Sequence, residues 1–377
     1  MRAFRSLFTI YRLCGKEIRS LLGDTTMVVM LIMVFTVVPH IIHKGLRAEV
    51  RNATVAVIDD DRSELSYRLR GALVPPYFKP ATTIERAQAD QAMMRGEYIF
   101  ILDIPPNFQK DLMAGQNPRI QLAVDATAMT QAAVGTSYIE QIFMRETADF
   151  FKIHSLAAAQ PVDNVIHIQY NPNADSSWYN TVMQIVLNTT LLGLVLVGAA
   201  VIREREHGTI EHLLVMPVSA IEIALAKIIA NGGVILLAAV LGMYFVVHLW
   251  IGIPLLGSLW LFALTAGIYL FTVTSLGMLA ATLAPSMPQL GLLITPIIMI
   301  SHQTSGGVTS VDSMPPAVQN WVQLNPATHF VAATRDIIFH GAGMETVWHK
   351  LLILAVMGVI FLTLALLRFR KMLEQQG

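Results

Sequence analysis

The 377-residue chain has a single cysteine and few charged residues. Cys14 alone cannot form an internal disulfide or a cysteine-based zinc site. Charged residues make up 14% of the chain, and the formal net charge is zero. A neutral chain gives no reason to expect nucleic acid as a partner.

The chain also lacks common motifs of nucleotide and peptide hydrolysis. Lys16 follows Gly15 but precedes Glu17, and position 10 is not glycine, so no loop of this type can cradle phosphates. Neither H-E-x-x-H nor G-x-S-x-G occurs. We therefore expect a chain that is not an enzyme and that has no catalytic residue, metal site or cofactor of its own.

Hydrophobic residues, by contrast, make up 54% of the chain, and the mean hydropathy is +0.56. Apolar runs recur at lengths of about 20 residues, which a helix needs to cross the hydrocarbon core. They predict an α-helical polytopic membrane protein with six transmembrane helices and an inserted α/β periplasmic domain. The predicted spans are 27–42, 178–202, 223–250, 259–283, 289–300 and 348–367. The fifth is short and ends before His302, which favours a helix that breaks or re-enters the membrane.

Membrane and soluble segments alternate along the chain. We predict a cytoplasmic amphipathic interfacial helix at 1–26, transmembrane helix 1 at 27–43, the periplasmic α/β domain at 44–175, and transmembrane helices 2–6 within 176–377. The last region includes a cytoplasmic coupling segment at 203–218 and an outer segment at 303–346. Basic residues cluster before the first span, between the second and third, and after the last, which places both termini in the cytoplasm.

Residues 4–22 have the pattern of an amphipathic helix, with apolar side chains on one side and basic side chains on the other. The pattern is typical of a helix in the membrane interface whose basic face meets lipid phosphates, although a surface helix of a soluble domain shows it too. Because an apolar run follows directly, we favour the interfacial helix. Its basic residues are Arg5, Arg12, Lys16 and Arg19.

Residues 44–175 carry charges of both signs, and prolines and glycines separate short periodic segments. Strands predicted at 54–58, 98–104, 120–124 and 165–170 alternate with helices, which suggests a mostly parallel or mixed sheet. Two sequences predict a capping box at the start of a helix. They are Thr82-Thr-Ile-Glu85 in this domain and Ser219-Ala-Ile-Glu222 at the third span.

Two small clusters are weak candidates for metal binding. His40 and His43 lack a third ligand, so we interpret them as interfacial residues. The acidic turn at 59–61 follows a predicted strand, and we interpret it as a solvated helix start.

The charged segment after the second apolar run is the most distinctive stretch. A charged residue at the bilayer centre costs about 2.5–3.5 kcal/mol, so this stretch must leave the membrane. It then forms a short amphipathic piece that Pro217 ends, and such a piece can lie on lipid or enter a groove of a soluble partner. The candidate coupling residues are Arg203, Glu204, Arg205, Glu206, Gly208, Thr209, Glu211, His212, Leu213, Leu214, Met216 and Pro217.

Polar residues inside the apolar runs are candidates for a translocation path. Asn188 and Thr189, followed by Thr190, lie in the second span, and His302 lies beyond the fifth. The alternative for the second-span residues is hydrogen bonding between helices. The predicted spans carry no Asp or Glu in mid-membrane, which weakens an ion-coupled carrier and favours an energy source outside the chain.

The charged segment and the order of the spans resemble the permease subunits of ABC-2 type exporters. The likeness is greatest to bacterial inner-membrane permeases with a large periplasmic domain between the first and second spans. It covers essentially the whole chain, and the charged segment is its most specific part. The matching residues are the string from Arg203 to Pro217, Glu222, Lys227, the string from Ser286 to Gly291, the string from Asn325 to Phe330, Arg335 and Gly341.

The resemblance implies two six-helix subunits, in a homodimer or a heterodimer, each docked on a cytosolic ABC ATPase. The ATPase, which binds ATP and magnesium, is either separate or fused to a second permease. The segment matching 208–217 is the coupling helix in such exporters, and Arg203 and Glu206 pair either with the ATPase or with the chain's own first helix. The outer domain caps the exit and can meet a periplasmic adaptor, or membrane fusion protein. The apolar bundle favours a hydrophobic or amphiphilic substrate, drug-like or lipid-like.

A function of a different class fits the same topology. A membrane protein without transport activity, whose periplasmic domain senses a ligand or anchors an assembly, would also carry an outer domain between two spans. It predicts a signal that depends on residues 44–175 alone and no stimulation of an ATPase.

Overall fold

A computed structural model describes residues 2–45, 52–125, 129–154, 176–206 and 218–374. The chain divides into two compact units: a helical bundle of Met1–Leu46 with Ser177–Gly377, and an α/β unit of Arg47–Ser176. In chain order the elements are α1 (Arg2–Gly23), α2 (Thr25–Gly45), β1 (Val55–Asp59), α3 (Glu64–Gly71), β2 (Thr82–Thr83), α4 (Arg86–Met94), β3 (Phe100–Ile104), α5 (Phe108–Met113), β4 (Gln121–Val124), α6 (Met129–His154), α7 (Ser176–Glu206), α8 (Ala220–Leu241), a π-helical segment (Gly242–Trp250), α9 (Leu259–Leu283), α10 (Met287–Thr304), a 3-10 turn (Val311–Ser313), α11 (Pro316–Val322), α12 (Pro326–Ile338) and α13 (Met344–Glu374).

Long apolar helices dominate the bundle, as expected where a backbone must satisfy its own hydrogen bonds. Five of the described helices are long and apolar enough to cross a membrane: Thr25–Gly45, Ser176–Glu206, Ala220–Trp250, Leu259–Leu283 and Met344–Lys371. The chain is thus mostly helical with several membrane-crossing helices, and the predicted fourth span has the same bounds as α9.

The fifth predicted span is longer than its apolar run. Helix α10 begins at Met287 and continues through His302 to Thr304, with Pro296 inside it. The predicted end of this span before His302 is therefore wrong, whereas re-entry into the membrane beyond it stays a prediction. The chain leaves the helix at Ser305 and Gly306, where the glycine has a φ of +83°. Its 18 residues extend about 27 Å, slightly less than the hydrocarbon thickness.

Local capping signals position several helix starts. The predicted box at Ser219 is confirmed: its side chain accepts from Glu222 N, and the Glu222 side chain accepts from Ser219 N. Asn325 caps α12 in the same way by accepting from Ala327 N, and Pro326 occupies the first turn. Helix α12 therefore begins at Pro326, inside the outer segment predicted at 303–346.

The backbones of α7 and α9 approach each other closely in the buried core. A Cβ atom at Gly277 would lie 2.6 Å from the carbonyl oxygen of Leu194, so only glycine fits at this crossing. Nearby, the Thr190 and Tyr269 hydroxyls lie 2.6 Å apart. The Tyr269 ring also stacks on Phe330 of α12 at 4.1 Å between centroids. These contacts pack α7 against α9 and α9 against α12.

The tryptophans and the basic last turns of α7 and α13 lie at opposite ends of the bundle helices, although Arg335 and Lys350 are at the tryptophan-rich end. The five tryptophans lie at the start of α7, the end of the π-helical segment, the starts of α9 and α13, and in α11. They are Trp178, Trp250, Trp260, Trp348 and Trp321. The end of α7 and the end of α13 instead carry Arg203, Arg205, Arg368, Arg370 and Lys371. This distribution is typical of an aromatic belt at one membrane surface and positive charge at the other.

The α/β unit contains a four-stranded mixed sheet in the order β2-β1-β3-β4. Strand β1 is parallel to β2 and β3, and β4 is antiparallel to β3. The sheet agrees with the expectation of a mostly parallel or mixed arrangement. The strand predicted at 165–170 lies outside the described residues.

The predicted capping box at Thr82 is wrong. Thr82 and Thr83 form β2 and pair with Ala56 and Val57 of β1, so their backbone groups serve the sheet. Helix α4 then begins at Arg86, and Glu85 makes no side-chain cap. Pairing with β1 places Thr82 in the sheet and not at the start of a helix. The pairing involves residues distant in the sequence, so the local sequence does not reveal it.

The acidic turn after β1 serves the local fold. Asp59 accepts from Arg62 N at 2.8 Å and from Ser66 Oγ at 2.9 Å. Asp60 pairs with Arg86 at 2.8 Å, and Asp61 accepts from the backbone of Gln109 at 3.1 Å. These bonds agree with the interpretation as a helix start, but Asp59 is buried, so the turn is not solvated at this residue.

Substitution of Leu69 tests the core of the α/β unit. Leu69 on α3 is fully buried, so Leu69→Ala should lower the free energy of unfolding by about 2–5 kcal/mol through lost packing. Tyr67, a half-exposed residue on the same helix, is the control. Tyr67→Ala should lower the free energy of unfolding by less than about 1 kcal/mol. The measurement is the urea concentration at which trypsin cleaves this unit in the full-length protein. Equal shifts for both variants would contradict the assignment.

Candidate functional site

The charged segment begins on a helix. Helix α7 continues past the predicted end of the second span to Glu206, so residues 203–206 form its last turn. We call these four residues, Arg203, Glu204, Arg205 and Glu206, the anchor turn. They extend the helix instead of starting the separate piece that the sequence predicts. The other candidate coupling residues lie outside the described residues: Gly208, Thr209, Glu211, His212, Leu213, Leu214, Met216 and Pro217.

Glu204 joins the anchor turn to two other helices. Its Oε2 lies 2.9 Å from Nζ of Lys227 on α8, and its Oε1 lies 3.1 Å from Nζ of Lys16 on α1. Lys227 Nζ also lies 2.9 Å from Oε1 of Glu17. The Lys227 side chain is only 2% exposed, and Glu17 and Glu204 are 12% and 15% exposed. We call Lys16, Glu17, Glu204 and Lys227 the ion cluster.

The ion cluster is electrically balanced, because its two lysines match its two glutamates. A buried ammonium group loses its hydration, and its attraction to nearby carboxylates offsets that loss only when the geometry is close. Lys227 meets this condition with two carboxylates at 2.9 Å. Removal of one partner would leave a partly buried charge uncompensated, so the positions of α1, α7 and α8 depend on one another.

The other residues of the anchor turn contact three further places. Arg203 Nη1 lies 3.7 Å from Asp24, between α1 and α2, and 3.6 Å from the Met27 sulfur. Arg205 donates to the carbonyl oxygen of Ala284, which follows α9. Glu206 accepts from the Met287 backbone N–H at 3.2 Å. That N–H is among the unpaired donors at the start of α10, where a carboxylate is favourable.

Consecutive residues of one helical turn therefore reach the ends of several helices. Of the two alternatives for Arg203 and Glu206, Arg203 contacts the α1–α2 junction, whereas Glu206 contacts α10 and not the first helix. The anchor turn thus connects α1, α2, α8, α9 and α10. A displacement of the chain immediately after Glu206 would act on all of these contacts.

The described residues leave most of the apolar side of helix α1 uncovered. Leu7, Phe8, Tyr11, Ile18 and Leu22 are exposed, whereas Leu21 is buried against the bundle. An uncovered apolar stripe on a helix beside a membrane span fits an interfacial position. Cys14 is half-buried and donates to the Ala226 carbonyl oxygen at 3.5 Å, and burial raises the pKa of its thiol.

The basic residues of α1 do not share one role. Lys16 pairs with Glu204 while its side chain stays 54% exposed, so the expectation that it faces lipid phosphates stays a prediction. Arg12 lies over the Phe8 ring at 4.9 Å, and Arg12 and Arg19 are exposed. The side chain of Arg5 lies outside the described part of the chain.

The polar residues predicted for a translocation path make hydrogen bonds within the bundle. Asn188 donates to the Val34 carbonyl oxygen of α2 at 2.6 Å, and Gln184 donates to Asn188 at 2.8 Å. Thr189 donates to the Ile185 carbonyl oxygen at 2.7 Å, one turn earlier in α7. Both Asn188 and Thr189 are buried. In this conformation Asn188 forms a hydrogen bond between helices, which agrees better with the second alternative than with a place in a translocation path.

His302 has different surroundings from those of Asn188. It is half-buried and lines a small pocket with Met183, Thr190 and Val331, near the end of α10. His43 shares a hydrogen bond of 3.0 Å with Ser177. Among the described residues no three His, Cys, Asp or Glu side chains are grouped to hold a metal ion.

Five of the described helices are long and apolar enough to cross a membrane, and a charged turn at the end of α7 contacts the ends of several other helices. These features define a polytopic helical membrane protein. The family model described as ABC-2 family transporter protein matches residues 24–367. The chain belongs to this family, which confirms the resemblance seen in the sequence.

The relatives are permeases. Inner membrane transport permease YhhJ of Escherichia coli K12 is 42% identical over 367 residues, covering 97% of this chain and 98% of the relative. Probable multidrug ABC transporter permease YbhR of the same organism is 27% identical over 375 residues, covering 98% and 99%. Probable multidrug ABC transporter permease YbhS is 24% identical over 376 residues, covering 96% and 97%. The prediction of an ABC-2 type permease is confirmed.

The sequence did not point to three residues of this site. Glu17 and Asp24 lie far along the chain from their partners, and Lys227 was noted for the resemblance but not for an ion pair. A lysine one turn or two inside an apolar span is nonetheless a signal, since it requires a nearby carboxylate. Sequence gives no means of choosing which one.

Loss of Lys227 should destabilise the bundle. Lys227→Met leaves Glu17 and Glu204 without their shared partner, and the expected cost is about 3–5 kcal/mol. The measurement is the thermal unfolding temperature of the purified full-length chain in detergent. Lys371→Met, an exposed lysine in the last turns of α13, is the matched control and should change little.

A second variant separates charge from packing. Adding Glu17→Gln and Glu204→Gln to Lys227→Met should restore part of the lost stability, because the unpaired charges are gone. An unfolding temperature of Lys227→Met equal to that of the Lys371→Met control would contradict the role of the ion cluster.

Proposed function

We propose that the chain is the membrane-spanning permease subunit of an ABC exporter in the bacterial inner membrane. It moves a hydrophobic or amphiphilic substrate, drug-like or lipid-like, outward across the membrane. Family membership supports this proposal, and two relatives are named as probable multidrug ABC transporter permeases. The energy comes from a partner ATPase, since the sequence has no P-loop.

The observation that carries the proposal is the anchor turn. Arg203, Glu204, Arg205 and Glu206 contact the ends of other helices and lead directly into residues 207–217. If that segment docks on a cytosolic ATPase, movement of the ATPase reaches several helices through one turn. Hydrogen bonds that involve carboxylates and guanidinium groups are short and directional. A small displacement of the anchor turn would therefore change the positions of the groups bonded to it.

The proposed topology has six spans with both termini in the cytoplasm. The fifth span of this count is α10, which adds to the five longer helices and whose length approaches that of a short transmembrane helix. Tryptophans at one end of the helices and arginines at the other support this orientation. The α/β unit between α2 and α7 then lies in the periplasm.

The proposed assembly contains partners on both sides of the membrane. A second permease subunit completes a homodimer or a heterodimer within the lipid bilayer. A cytosolic ABC ATPase, separate or fused to that second permease, binds ATP and magnesium, and this chain needs no cofactor of its own. On the periplasmic side, the α/β unit can meet an adaptor of the membrane fusion type.

Disruption of the coupling segment should uncouple the ATPase. Glu206→Lys combined with Leu213→Asp changes the contact with α10 and the apolar side of the amphipathic piece predicted before Pro217. We expect at least about tenfold less ATPase recovered with the tagged permease, and loss of transport. The measurement is co-purification with the cognate ABC ATPase from membranes that contain both proteins. Lys371→Glu, an exposed reversal of charge at the end of α13, is the control.

Intact association and transport in the double variant would contradict the coupling assignment. If no ABC ATPase associates with the unaltered chain, the sensor or anchor function becomes the better explanation.

Cysteine labelling tests the orientation of the bundle. In a Cys14→Ser background, Glu206→Cys and Trp260→Cys each introduce one exposed thiol at opposite helix ends. A membrane-impermeant maleimide added to spheroplasts should label the cysteine at 260 and spare that at 206. Inverted vesicles should give the reverse pattern. Labelling of position 206 from outside would place the anchor turn beyond the reach of a cytosolic motor.

A further inference from the structure

A second polar region lies at the tryptophan-rich end of the bundle. A cavity of about 330 Å³ lies between α12, α13 and the chain that follows α10. Its polar lining includes Arg335, Lys350 and His349, with Asp312 as its acidic residue. We call it the Arg335 cavity. Its volume is at the lower end of the range of about 300–1,000 Å³ that is usual for small-molecule sites.

Arg335 has a buried donor that the described residues do not satisfy. Its Nε is buried and lies 3.7 Å from Asp336 Oδ1, beyond hydrogen-bonding distance, and no other acceptor is within reach among the described residues. A buried N–H without an acceptor costs about 1–3 kcal/mol, so natural proteins seldom retain one without a reason. The Arg335 side chain as a whole is 41% exposed and lines the cavity, so a ligand there meets the guanidinium group, and a small movement of the side chain would bring the Nε to a ligand oxygen.

Asp336 does not neutralise Arg335 alone. Its carboxylate also accepts from Lys350 and lies 3.4 Å from His340 Nδ1, so three basic side chains share one acid. Asp312 balances the formal charge of the region, but it is exposed and its charge is screened by solvent. The side of the cavity formed by α12 and α13 therefore offers donors and positive charge to a ligand.

Part of the cavity wall is apolar, where Val331, Ala332 and Ile353 lie beside the basic residues. The rest of the lining is polar and includes Ser310, Gln323 and Thr328. Trp348, next to His349, is exposed at the start of α13, in the position of an interfacial aromatic. A cavity that offers both polar and apolar surface matches a ligand that has both.

We propose that the Arg335 cavity binds the phosphate or carboxylate group of an anionic amphiphile, whose oxygens accept hydrogen bonds from Arg335 and whose apolar part lies against Val331 and Ile353. Guanidinium is suited to this role, because its N–H groups match the spacing of carboxylate and phosphate oxygens. The proposal does not rest on coupling to an ATPase, since the chain alone forms the cavity.

Binding to the purified full-length chain tests the proposal. The probes are dihexanoylphosphatidic acid, dihexanoylglycerol with the same chains but no charge, and inorganic phosphate, each titrated calorimetrically in a non-ionic detergent. We expect saturable binding of the phosphatidic acid, at least about tenfold tighter than that of either other probe. Comparable affinity for dihexanoylglycerol would overturn the anionic recognition, and comparable affinity for inorganic phosphate would overturn the amphiphile.

Variants locate the binding to this cavity. Arg335→Gln should weaken phosphatidic acid binding about tenfold or more, and Arg335→Lys should weaken it less, because charge remains without the planar donors. Ala332→Phe fills the cavity without a change of charge and should also abolish binding. Arg370→Gln, which removes an exposed charge at the far end of α13, is the control and should bind normally.

The variants decide the matter even if one folds poorly. Thermal unfolding and gel filtration report on folding, and Ala332→Phe replaces Arg335→Gln as the test if the latter aggregates. Unchanged binding in a folded Arg335→Gln or Ala332→Phe protein would overturn the proposal.

Discussion

The burial of Lys227 is the constraint on which the end of the bundle around the anchor turn depends. An ammonium group 2% exposed among apolar helices requires carboxylates within ion-pair distance, and Glu17 and Glu204 supply them. These two residues come from helices far apart in the chain, so one charge fixes α1 and α7 against α8. The amphipathic first helix is therefore part of the bundle as well as a candidate for the membrane interface.

A cluster of ion pairs lies at each end of the bundle, and the two clusters differ in how completely their charged groups are paired. At one end a lysine lies between two glutamates, and the charges of the ion cluster cancel among well-placed partners. At the other end Asp336 is shared among Arg335, His340 and Lys350, and a guanidinium N–H remains unsatisfied beside a cavity. A closed cluster stabilises helix positions, whereas an incompletely satisfied one is suited to a ligand.

Hydropathy and capping signals predicted much of the bundle, because they are local. Helix α9 has the predicted bounds, and the Ser219 box forms as expected. The failures come from distant contacts. Thr82 joins a sheet through Ala56, and α10 continues beyond its apolar run because backbone hydrogen bonds do not depend on hydropathy. The ion pair of Glu17 with Lys227 joins residues more than half the chain apart, which no periodicity can reveal.

The crossing at Gly277 limits how the bundle can open. With the Leu194 carbonyl oxygen where a Cβ atom would be, α7 and α9 meet backbone to backbone, and sliding by one residue would force a side chain into that position. Relative sliding of α7 and α9 is therefore disfavoured. If the chain works as the proposed exporter, a passage for its substrate would have to open along helix contacts other than this one.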